Sequence, residues 1–311
     1  MQERRNLTDR QIEEFISWHQ LPNKFRGLID AHYLPLAEWL QQTYTMEKTS
    51  LIGINGAQGT GKSTLAAYLQ LALEANAGWN VAVLALDDFY MTKTERKQLA
   101  ERVHPLLITR GVPGTHDMQL LAACVENLRN LGAKAKLSLP RFDKASDDQT
   151  NKDTWPVITG PIDLIILEGW CIGCRPQSDD ALLQPINSLE RDEDPSGEWR
   201  RYVYDQLNEN YADLFAQLDA LIFLRAPSMG AVYRWRLEQE EKLAATTVDG
   251  AAGIMDSEQV ARFVQYFERL TRESLVSLPD YADIVLELDD NHDCARSIFQ
   301  PRSVQSKSRQ Q

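Results

Sequence analysis

The chain has 311 residues, of which 43% are hydrophobic and 25% are charged, and its formal net charge at pH 7 is −12. This size and hydrophobic content suffice for one large α/β core with additions, or for two domains at most. The acidic balance argues against broad binding to nucleic acids or anionic membranes, so an anionic ligand has to be held by local cations and backbone amides.

The N-terminal region is predicted to be helical. Residues 8 to 20 and 24 to 44 carry apolar side chains at helix-compatible spacings, among them Phe15, Leu36 and Trp39. We assign residues 1–48 to a helical extension packed on the core. The first residues lack the apolar core of a secretory signal, and no apolar stretch of the chain is long enough to span a bilayer, so we expect a cytoplasmic protein.

Residues 56–63 match the phosphate-binding loop pattern GxxxxGK[ST] in full. An apolar run before the loop predicts a buried strand, and residues 64–74 predict an amphipathic helix after it, which is the context that such a loop requires. We expect the glycines at 56, 59 and 61 to take positive φ and to turn the loop amides toward the β- and γ-phosphates of a nucleoside triphosphate. Lys62 adds a mobile cation, and Ser63 is a candidate Mg²⁺ ligand. The predicted nucleotide-binding residues are Gly56, Ala57, Gln58, Gly59, Thr60, Gly61, Lys62, Ser63 and Thr64.

Five further apolar runs predict strands separated by helical or irregular segments, at residues 81–86, 137–139, 162–167, 220–224 and 284–288. This alternation predicts an α/β fold, a three-layer α/β/α P-loop NTPase with a mainly parallel sheet covered on both faces. Polar, turn-rich stretches at 143–160 and 175–198 are predicted to form long loops or lids. We place the core domain at 49–292, with a long polar insertion at 175–200, and expect a disordered tail at 293–311.

Acidic residues directly follow two of the predicted strands. The sequence Asp87-Asp88-Phe89-Tyr90 comes after residues 81–86, and Glu168-Gly169-Trp170 comes after residues 162–167. Ligands of open parallel sheets bind at the carboxyl ends of the strands, so we expect Asp87 and Glu168 to lie near Lys62. A carboxylate at such a place can ligate Mg²⁺ or accept a proton from an attacking hydroxyl.

Two segments between these strands carry the side chains of an acceptor pocket. Residues 110–117 read RGVPGTHD, and residues 140–144 read PRFDK. Arginine, histidine, lysine and aspartate together can clamp a small carboxylate or a sugar while they orient its hydroxyl. The same residue types are common in solvated turns, so the residues alone leave both interpretations open.

In this order after a phosphate loop, the segments DDFY, RGVPGTHD, PRFDK and LEGW resemble the D-glycerate 3-kinases and their kinase-like relatives. These proteins belong to the superfamily of uridine kinase, pantothenate kinase and phosphoribulokinase. The resemblance extends from about the first predicted core strand to the last. It implies a kinase that uses ATP and Mg²⁺ to phosphorylate a hydroxyl of a small molecule, a hydroxy acid and most simply D-glycerate.

The resemblance also implies roles for individual residues. Asp87 corresponds to the base or hydroxyl orienter, and Glu168 helps Ser63 to hold Mg²⁺. A lid arginine is expected on a helix predicted over residues 229–243, where Arg234 and Arg236 point to different helix faces and we favour Arg234. The predicted catalytic residues are therefore Lys62, Asp87 and Arg234. The predicted acceptor-binding residues are Asp88, Tyr90, Arg110, His116, Asp117 and Arg141.

Several alternatives remain open at the level of sequence. Residues 145–149 depart from the Gly-rich or Ser-rich stretch of some glycerate kinases, which leaves uridine, pantothenate and sugars as alternative acceptors. Residues 151–154 resemble the guanine motif NKxD of GTPase switches, although the Asp comes one position early. A non-catalytic ATP-binding regulator is a further alternative, because a phosphate loop indicates binding more directly than turnover.

The cysteines do not form a recognisable metal or disulfide pattern. Cys171 and Cys174 form a CxxC, but Cys124 and Cys294 stand alone, so a four-thiolate zinc site lacks its second pair. We expect reduced thiols, with the CxxC close to the active centre.

Overall fold

The structure is a computed structural model that describes residues 7–246 and 255–300. Its β-strands in these ranges are β1 (Ser50–Gly56), β2 (Val81–Ala85), β3 (Lys136–Ser138), β4 (Phe142–Asp143), β5 (Asp148–Gln149), β6 (Val157–Thr159), β7 (Leu164–Gly169), β8 (Ala220–Arg225), β9 (Ile284–Leu288) and β10 (Cys294–Phe299). Its α-helices are α1 (Asp9–Trp18), α2 (Phe25–Leu28), α3 (Leu34–Thr43), α4 (Lys62–Ala77), α5 (Lys93–Arg102), α6 (Met118–Arg129), α7 (Asp179–Leu182), α8 (Ser188–Glu193), α9 (Glu198–Gln206), α10 (Ala212–Phe215), α11 (Met229–Thr246) and α12 (Ser257–Ser277). Single turns of 3₁₀ helix lie at Leu86–Phe89, Pro105–Ile108, Lys152–Thr154 and Leu278–Asp280, and π-helical turns lie at Ile29–Tyr33 and Leu207–Tyr211.

Six strands form the central sheet, in the order β10-β9-β8-β1-β7-β2. Neighbouring strands run parallel, except that β10 is antiparallel to β9. Every residue of β1 and β7 is buried, as expected for central strands that are covered on both faces. The predicted mainly parallel sheet is confirmed, and four of the predicted strands lie within two residues of their expected bounds.

Successive residues of β1 point to opposite faces of the sheet and belong to two different hydrophobic clusters. Leu51 lies in the cluster built with α6, α9 and α12, whereas Ile52 and Ile54 lie in the cluster built with α1, α3, α4 and α11. The sheet is therefore the middle of three layers, as predicted. In the described residues no helix is both long and apolar enough to cross a membrane.

The predicted N-terminal helices are present, but the second one is interrupted. A capping box formed by Thr8 and Gln11 starts α1, which buries Ile12, Phe15 and Ile16. Phe15 packs edge to face on Tyr68 of α4, with ring centroids 5.8 Å apart. The helical extension is thus attached to the helix that follows the phosphate loop.

The predicted strand at 137–139 is not part of the central sheet. Residues 137 and 138 lie in β3, which pairs with β6 in a separate two-stranded ribbon. The predicted loop at 143–160 contains β6 and β5, and β5 pairs with β4 as a short hairpin. A run of three residues, Leu137-Ser138-Leu139, does not reveal its pairing partner, so a ribbon strand and a core strand could not be separated from sequence.

The stretch at 175–198, predicted to form a long loop or lid, contains the short helices α7 and α8 and contacts the core through a buried ion pair. Glu190 is fully buried and pairs with Arg269 of α12 at 2.6 Å. Arg269 also donates to the backbone carbonyls of Ala181 and Gln184, at 2.7 and 2.6 Å. Breaking a buried ion pair is strongly unfavourable, so these contacts hold the insertion against α12. Polar composition does not reveal this pair, because Arg269 lies far away in sequence.

The expected tail at 293–311 is wrong for its first residues. Residues 294–299 form the edge strand β10, and Arg296 of this strand pairs with Glu287 of β9 at 2.7 Å. Only Cys294 of this edge strand is buried, so its sequence lacks the apolar pattern that predicts a strand, which is why this strand was missed. Residues 301–311 lie outside the described residues.

Candidate active site

The phosphate loop joins the end of β1 to the start of α4. Gly59 and Gly61 take φ of 81° and 85°, as predicted, which other residues rarely adopt. The same prediction is wrong for Gly56, which is not among the positive-φ glycines. A side chain at Gly56 would instead collide with the hydroxyl of Thr60. No side chain caps α4 at Gly61, so its first amides are available to an anion.

The two predicted Mg²⁺ ligands are in direct contact. The Ser63 hydroxyl donates to Oε1 of Glu168 at 2.6 Å. Burial raises the pKa of Glu168 above its usual value, although Lys62 and the Ser63 hydroxyl act in the opposite direction. A hydroxyl and a carboxylate fit Mg²⁺, which takes few protein ligands and completes its shell with phosphates and water. The described residues contain no group of three or more His, Cys, Asp or Glu side chains placed to hold a metal ion without a nucleotide.

Asp87 lies in the turn after β2 and carries two strong hydrogen bonds. The Tyr90 hydroxyl donates to Oδ1 at 2.6 Å, and Nζ of Lys144 donates to Oδ2 at 2.6 Å. Burial raises the pKa of Asp87, but the charges of Lys144 and Lys62 and the two hydrogen bonds outweigh burial and hold the pKa well below its usual value. Asp87 is therefore an ionised carboxylate next to the phosphate loop.

Asp88 fastens the segment that contains Arg141. One carboxylate oxygen accepts from Nη1 of Arg141 at 3.2 Å, and the other accepts from the backbone amide of Phe142 at 3.2 Å. Burial raises the pKa of Asp88 more than these partners lower it. Both residues were predicted to bind the acceptor, and they lie beside Asp87 with their side chains joined to each other.

Arg110 lies against the aromatic side chains next to Asp87. Its guanidinium is 6.0 Å from the ring centroid of Tyr90 and 5.6 Å from that of Phe142, and it pairs with Asp147. The loop behind it is held by Trp170, whose indole N–H donates to the carbonyl of Gly111 at 2.8 Å. The LEGW and RGVPGTHD segments are thus directly joined.

His116 is brought to the site but is almost completely buried. Its ring stacks on Tyr90 at 4.8 Å, and Nδ1 lies 2.6 Å from the hydroxyl of Tyr211. Burial lowers the pKa of His116 to about 4, against the attraction of Asp87, so the ring is neutral near pH 7. Nε2 has no hydrogen-bond partner among the described residues.

Asp117 was also predicted to bind the acceptor. In the structure its carboxylate accepts from the amide of Leu120 at 2.8 Å and caps α6. Asp117 therefore stabilises the start of α6, and this capping role is sufficient to account for an aspartate at this position.

Arg234 and Arg236 point to different sides of α11, as predicted. Arg234 is half exposed and pairs with Asp290 in the turn between β9 and β10, whereas Arg236 is mostly buried and pairs with Glu240. A side chain at Gly59 of the phosphate loop would have its Cβ 2.6 Å from that of Trp235, the residue between the two arginines. The helix that carries Arg234 therefore touches the phosphate loop.

Lys144 and Asp147 were missed as individual site residues. Lys144 stood inside the PRFDK segment and Asp147 inside the stretch that departs from the resemblance, but nothing in either stretch singles out one charged residue from its neighbours. Their partners, Asp87 and Arg110, are distant in sequence. Knowledge of the hairpin β4–β5 was needed to find both.

The CxxC thiols are packed against the end of β1. Cys171 and Cys174 are free and buried, and Cys174 contacts the Asn55 amide at 3.4 Å and the Ser274 hydroxyl at 3.0 Å. Burial raises the pKa of both thiols, Cys174 to about 11. These are properties of inert packing cysteines.

The chain is similar to known kinases. The chain is 34% identical to the uncharacterized kinase mug58 of Schizosaccharomyces pombe over 224 residues, which are 70% of this chain and 78% of that protein. It is 31% identical to the probable ATP-dependent kinase TDA10 of Saccharomyces cerevisiae, over 83% of this chain and 90% of that protein. No family model matches the chain.

Two further proteins carry a more specific name. The chain is 29% identical to the chloroplastic D-glycerate 3-kinase of Arabidopsis thaliana over 79% of its own length, but it spans only 54% of that protein. The solved D-glycerate 3-kinase of Cryptococcus neoformans has a TM-score of 0.69 and 25% identity, with 86% of this chain and 96% of that chain covered. The chain belongs to the family of P-loop kinases that contains the D-glycerate 3-kinases and these two yeast kinases.

Proposed function

We propose that this protein transfers the γ-phosphate of ATP to a hydroxyl of D-glycerate. The observation that carries the proposal is the position of the ionised Asp87 carboxylate next to Lys62, with the arginine-bearing acceptor segments directly beside it. The names of the plant and fungal relatives support glycerate as the acceptor.

The donor half of the site binds the triphosphate. The uncapped amides at the start of α4 and the ammonium of Lys62 stabilise charge on the β- and γ-phosphates. Mg²⁺, held by Ser63 and Glu168, neutralises phosphate charge when it is bound. Arg234 is our candidate for the residue that reaches the phosphates from α11, after it leaves Asp290.

The acceptor half orients a hydroxyl for in-line attack. Asp87 accepts a hydrogen bond from that hydroxyl and takes its proton as the new oxygen–phosphorus bond forms and the bond to ADP breaks. Because its pKa is held low, Asp87 is ionised and ready for this task throughout the physiological range. The attractions that keep it ionised also make it a weak base, so orientation is its larger contribution.

An ADP-release assay across D-glycerate, related sugar acids, uridine and pantothenate tests the proposal. We expect ADP release that depends on D-glycerate and is abolished by Lys62→Ala and by Asp87→Asn, with the fold retained by circular dichroism. ATP binding without release of ADP on any acceptor would instead identify a regulatory protein. Near-normal activity of Asp87→Asn would contradict the role of Asp87.

We extend the proposal with three predictions from the sequence, on the domain, the location and the partner. The kinase domain, predicted at 49–292, extends through β10, which belongs to its sheet. The location is cytoplasmic, and the partner is a small molecule and neither nucleic acid nor membrane. The acidic net charge supports the last point. The plant relative is chloroplastic, so imaging of a tagged full-length chain is the test of location.

A further inference from the structure

Asp147 stands in a backbone conformation that is uncommon for a residue with a side chain. Its φ is 57°, in the left-handed region, at the tip of the hairpin between β4 and β5. Aspartate tolerates this region better than most residues, but such positions are sparsely populated and are often found at functional sites. The contacts of Asp147 indicate what the conformation achieves.

Two arginines share the Asp147 carboxylate. Arg96 is 1% exposed and lies 2.8 Å from Oδ1, and it also donates to the backbone carbonyl of Asp147 at 2.9 Å. The other N–H groups of Arg96 donate to the carbonyls of Met91 at 3.2 Å and Ile108 at 2.7 Å. Arg96 is thus held from several sides, and it fixes Asp147 in place through both its backbone and its side chain.

Arg110 is the second arginine, and it is only partly satisfied. Nη1 donates to Asp147, and this carboxylate is the sole hydrogen-bond acceptor of Arg110 within residues 7–246 and 255–300. A guanidinium has five N–H donors, so most of the donors of Arg110 are available. The side chain is 28% exposed and rests on the Tyr90 and Phe142 rings, which restrict its position.

The upper bound on the distance between Arg110 and Asp87 is comparable with the length of a small hydroxy acid. Tyr90 touches both residues, because its hydroxyl lies 2.6 Å from Asp87 and its ring centroid lies 6.0 Å from the Arg110 guanidinium. The guanidinium is therefore no more than about 12 Å from Asp87, and a three-carbon hydroxy acid with a hydrogen bond at each end spans roughly 10 Å.

We propose that Arg110 binds the carboxylate of the acceptor, and that Asp147 is the positioning residue that holds Arg110 in the orientation required. The network of side chains Arg96–Asp147–Arg110 then selects hydroxy acids over neutral alcohols, because only an anionic group forms an ion pair with the free N–H groups of the Arg110 guanidinium. This inference rests on the proposed function and adds the residues that recognise the substrate class.

The first test compares Arg110→Gln with the unchanged protein. We expect the KM for D-glycerate to rise roughly 10- to 100-fold, as for the loss of a hydrogen-bonded charge pair, while the KM for ATP and kcat change by less than about threefold. D-Lactate keeps the carboxylate but lacks the terminal hydroxyl, and its Ki as a competitive inhibitor should rise by the same factor. Propane-1,2-diol, which has no carboxylate, should inhibit both proteins equally weakly.

Two variants serve as references. Arg110→Lys keeps the charge but lacks the planar guanidinium, and we expect its KM for D-glycerate to lie between those of the unchanged protein and Arg110→Gln. Arg191→Gln removes a 62% exposed arginine that pairs with Asp192 at 2.8 Å on α8, and it should leave the KM and the Ki unchanged.

The second test is Asp147→Asn, which keeps the shape of the side chain and removes its charge. We expect a rise of roughly 3- to 10-fold in the KM for D-glycerate and in the Ki of D-lactate, with an unchanged KM for ATP. If loss of the charge next to buried Arg96 prevents folding, Arg110→Gln still decides, since it leaves the Arg96–Asp147 contacts intact.

The possible failures are distinguishable. An active protein whose Arg110→Gln variant keeps the KM and the Ki within about threefold contradicts this inference and leaves the proposed function standing. A loss of kcat in Arg110→Gln at constant KM also contradicts it. Absence of phosphorylation of every hydroxy acid by the unchanged protein contradicts both proposals.

Discussion

Nζ of Lys144 lies 2.6 Å from Oδ2 of Asp87, although the two residues are 57 positions apart in the chain. Lys144 is 60% exposed and lies on the hairpin that also carries Asp147. One short element therefore contacts both Asp87, the candidate base, and Arg110, the arginine proposed to bind the acceptor. The charge of Lys144 is the largest of the influences that lower the pKa of Asp87. An acceptor hydroxyl that binds Asp87 has to share this carboxylate with the lysine.

Replacement of Lys144 should move the pH profile. In Lys144→Met the pKa of Asp87 rises, so the acidic limb of kcat/KM against pH shifts to higher pH, because activity requires the ionised carboxylate. Lys24→Met is the matched control, since Lys24 is 57% exposed and pairs with Asp293 at 2.8 Å. Coincident acidic limbs for Lys144→Met and the unchanged protein would show that Lys144 does not set the charge of Asp87.

Glu168→Gln should weaken the binding of Mg²⁺ without unfolding the protein. The amide can still accept the Ser63 hydrogen bond seen at 2.6 Å, but it lacks the charge that the ion requires. We expect the Mg²⁺ concentration at half-maximal activity to rise by about tenfold or more. A magnesium titration at fixed ATP measures this, and an unchanged titration would remove Glu168 from the metal site.

The buried pair Arg269–Glu190 should dominate the stability of the insertion. Glu190→Ala leaves the arginine without its charge partner, and we expect a loss of about 3–5 kcal/mol in the free energy of unfolding by urea. Glu14→Ala is the control, because Glu14 is 61% exposed, its partner Arg10 on the same helix is 87% exposed, and such exposed pairs contribute little to the free energy of unfolding. Equal losses for the two variants would show that the insertion is not fastened by Glu190.

His116 should make the protein less stable as the pH falls. Its pKa of about 4 in the folded state lies below the ordinary value of 6.5, so the unfolded chain binds the proton more tightly. Stability that depends on the neutral ring is complete above pH 6.5 and is lost progressively toward pH 4, by about 3 kcal/mol in all.

Urea unfolding at pH 7 and at pH 4.5 measures this effect. In His116→Gln the part of the pH dependence that belongs to the histidine should disappear, so the difference between the two pH values should shrink. An equal difference in both proteins would mean that other groups cause the acid sensitivity.

The sequence by itself determined the parts of this protein that depend on patterns of neighbouring residues. The phosphate loop, the strand before it and the helix after it follow from local spacing, because a fixed pattern of glycines and apolar residues restricts the backbone directly. Asp87 and Glu168 could be placed near Lys62 because the carboxyl ends of parallel strands meet at one edge of the sheet.

Only the tertiary structure decided which charged residues meet. Lys144 contacts Asp87 from 57 positions away, Arg96 contacts Asp147 from 51, and Arg269 contacts Glu190 from 79. Polar stretches carry no periodicity that identifies such partners, so the buried ion pair of the insertion at 175–198 could not be predicted and Asp147 resembled a solvated turn residue. Electrostatic partners are chosen by distance in space, and the chain order of polar residues does not encode that distance.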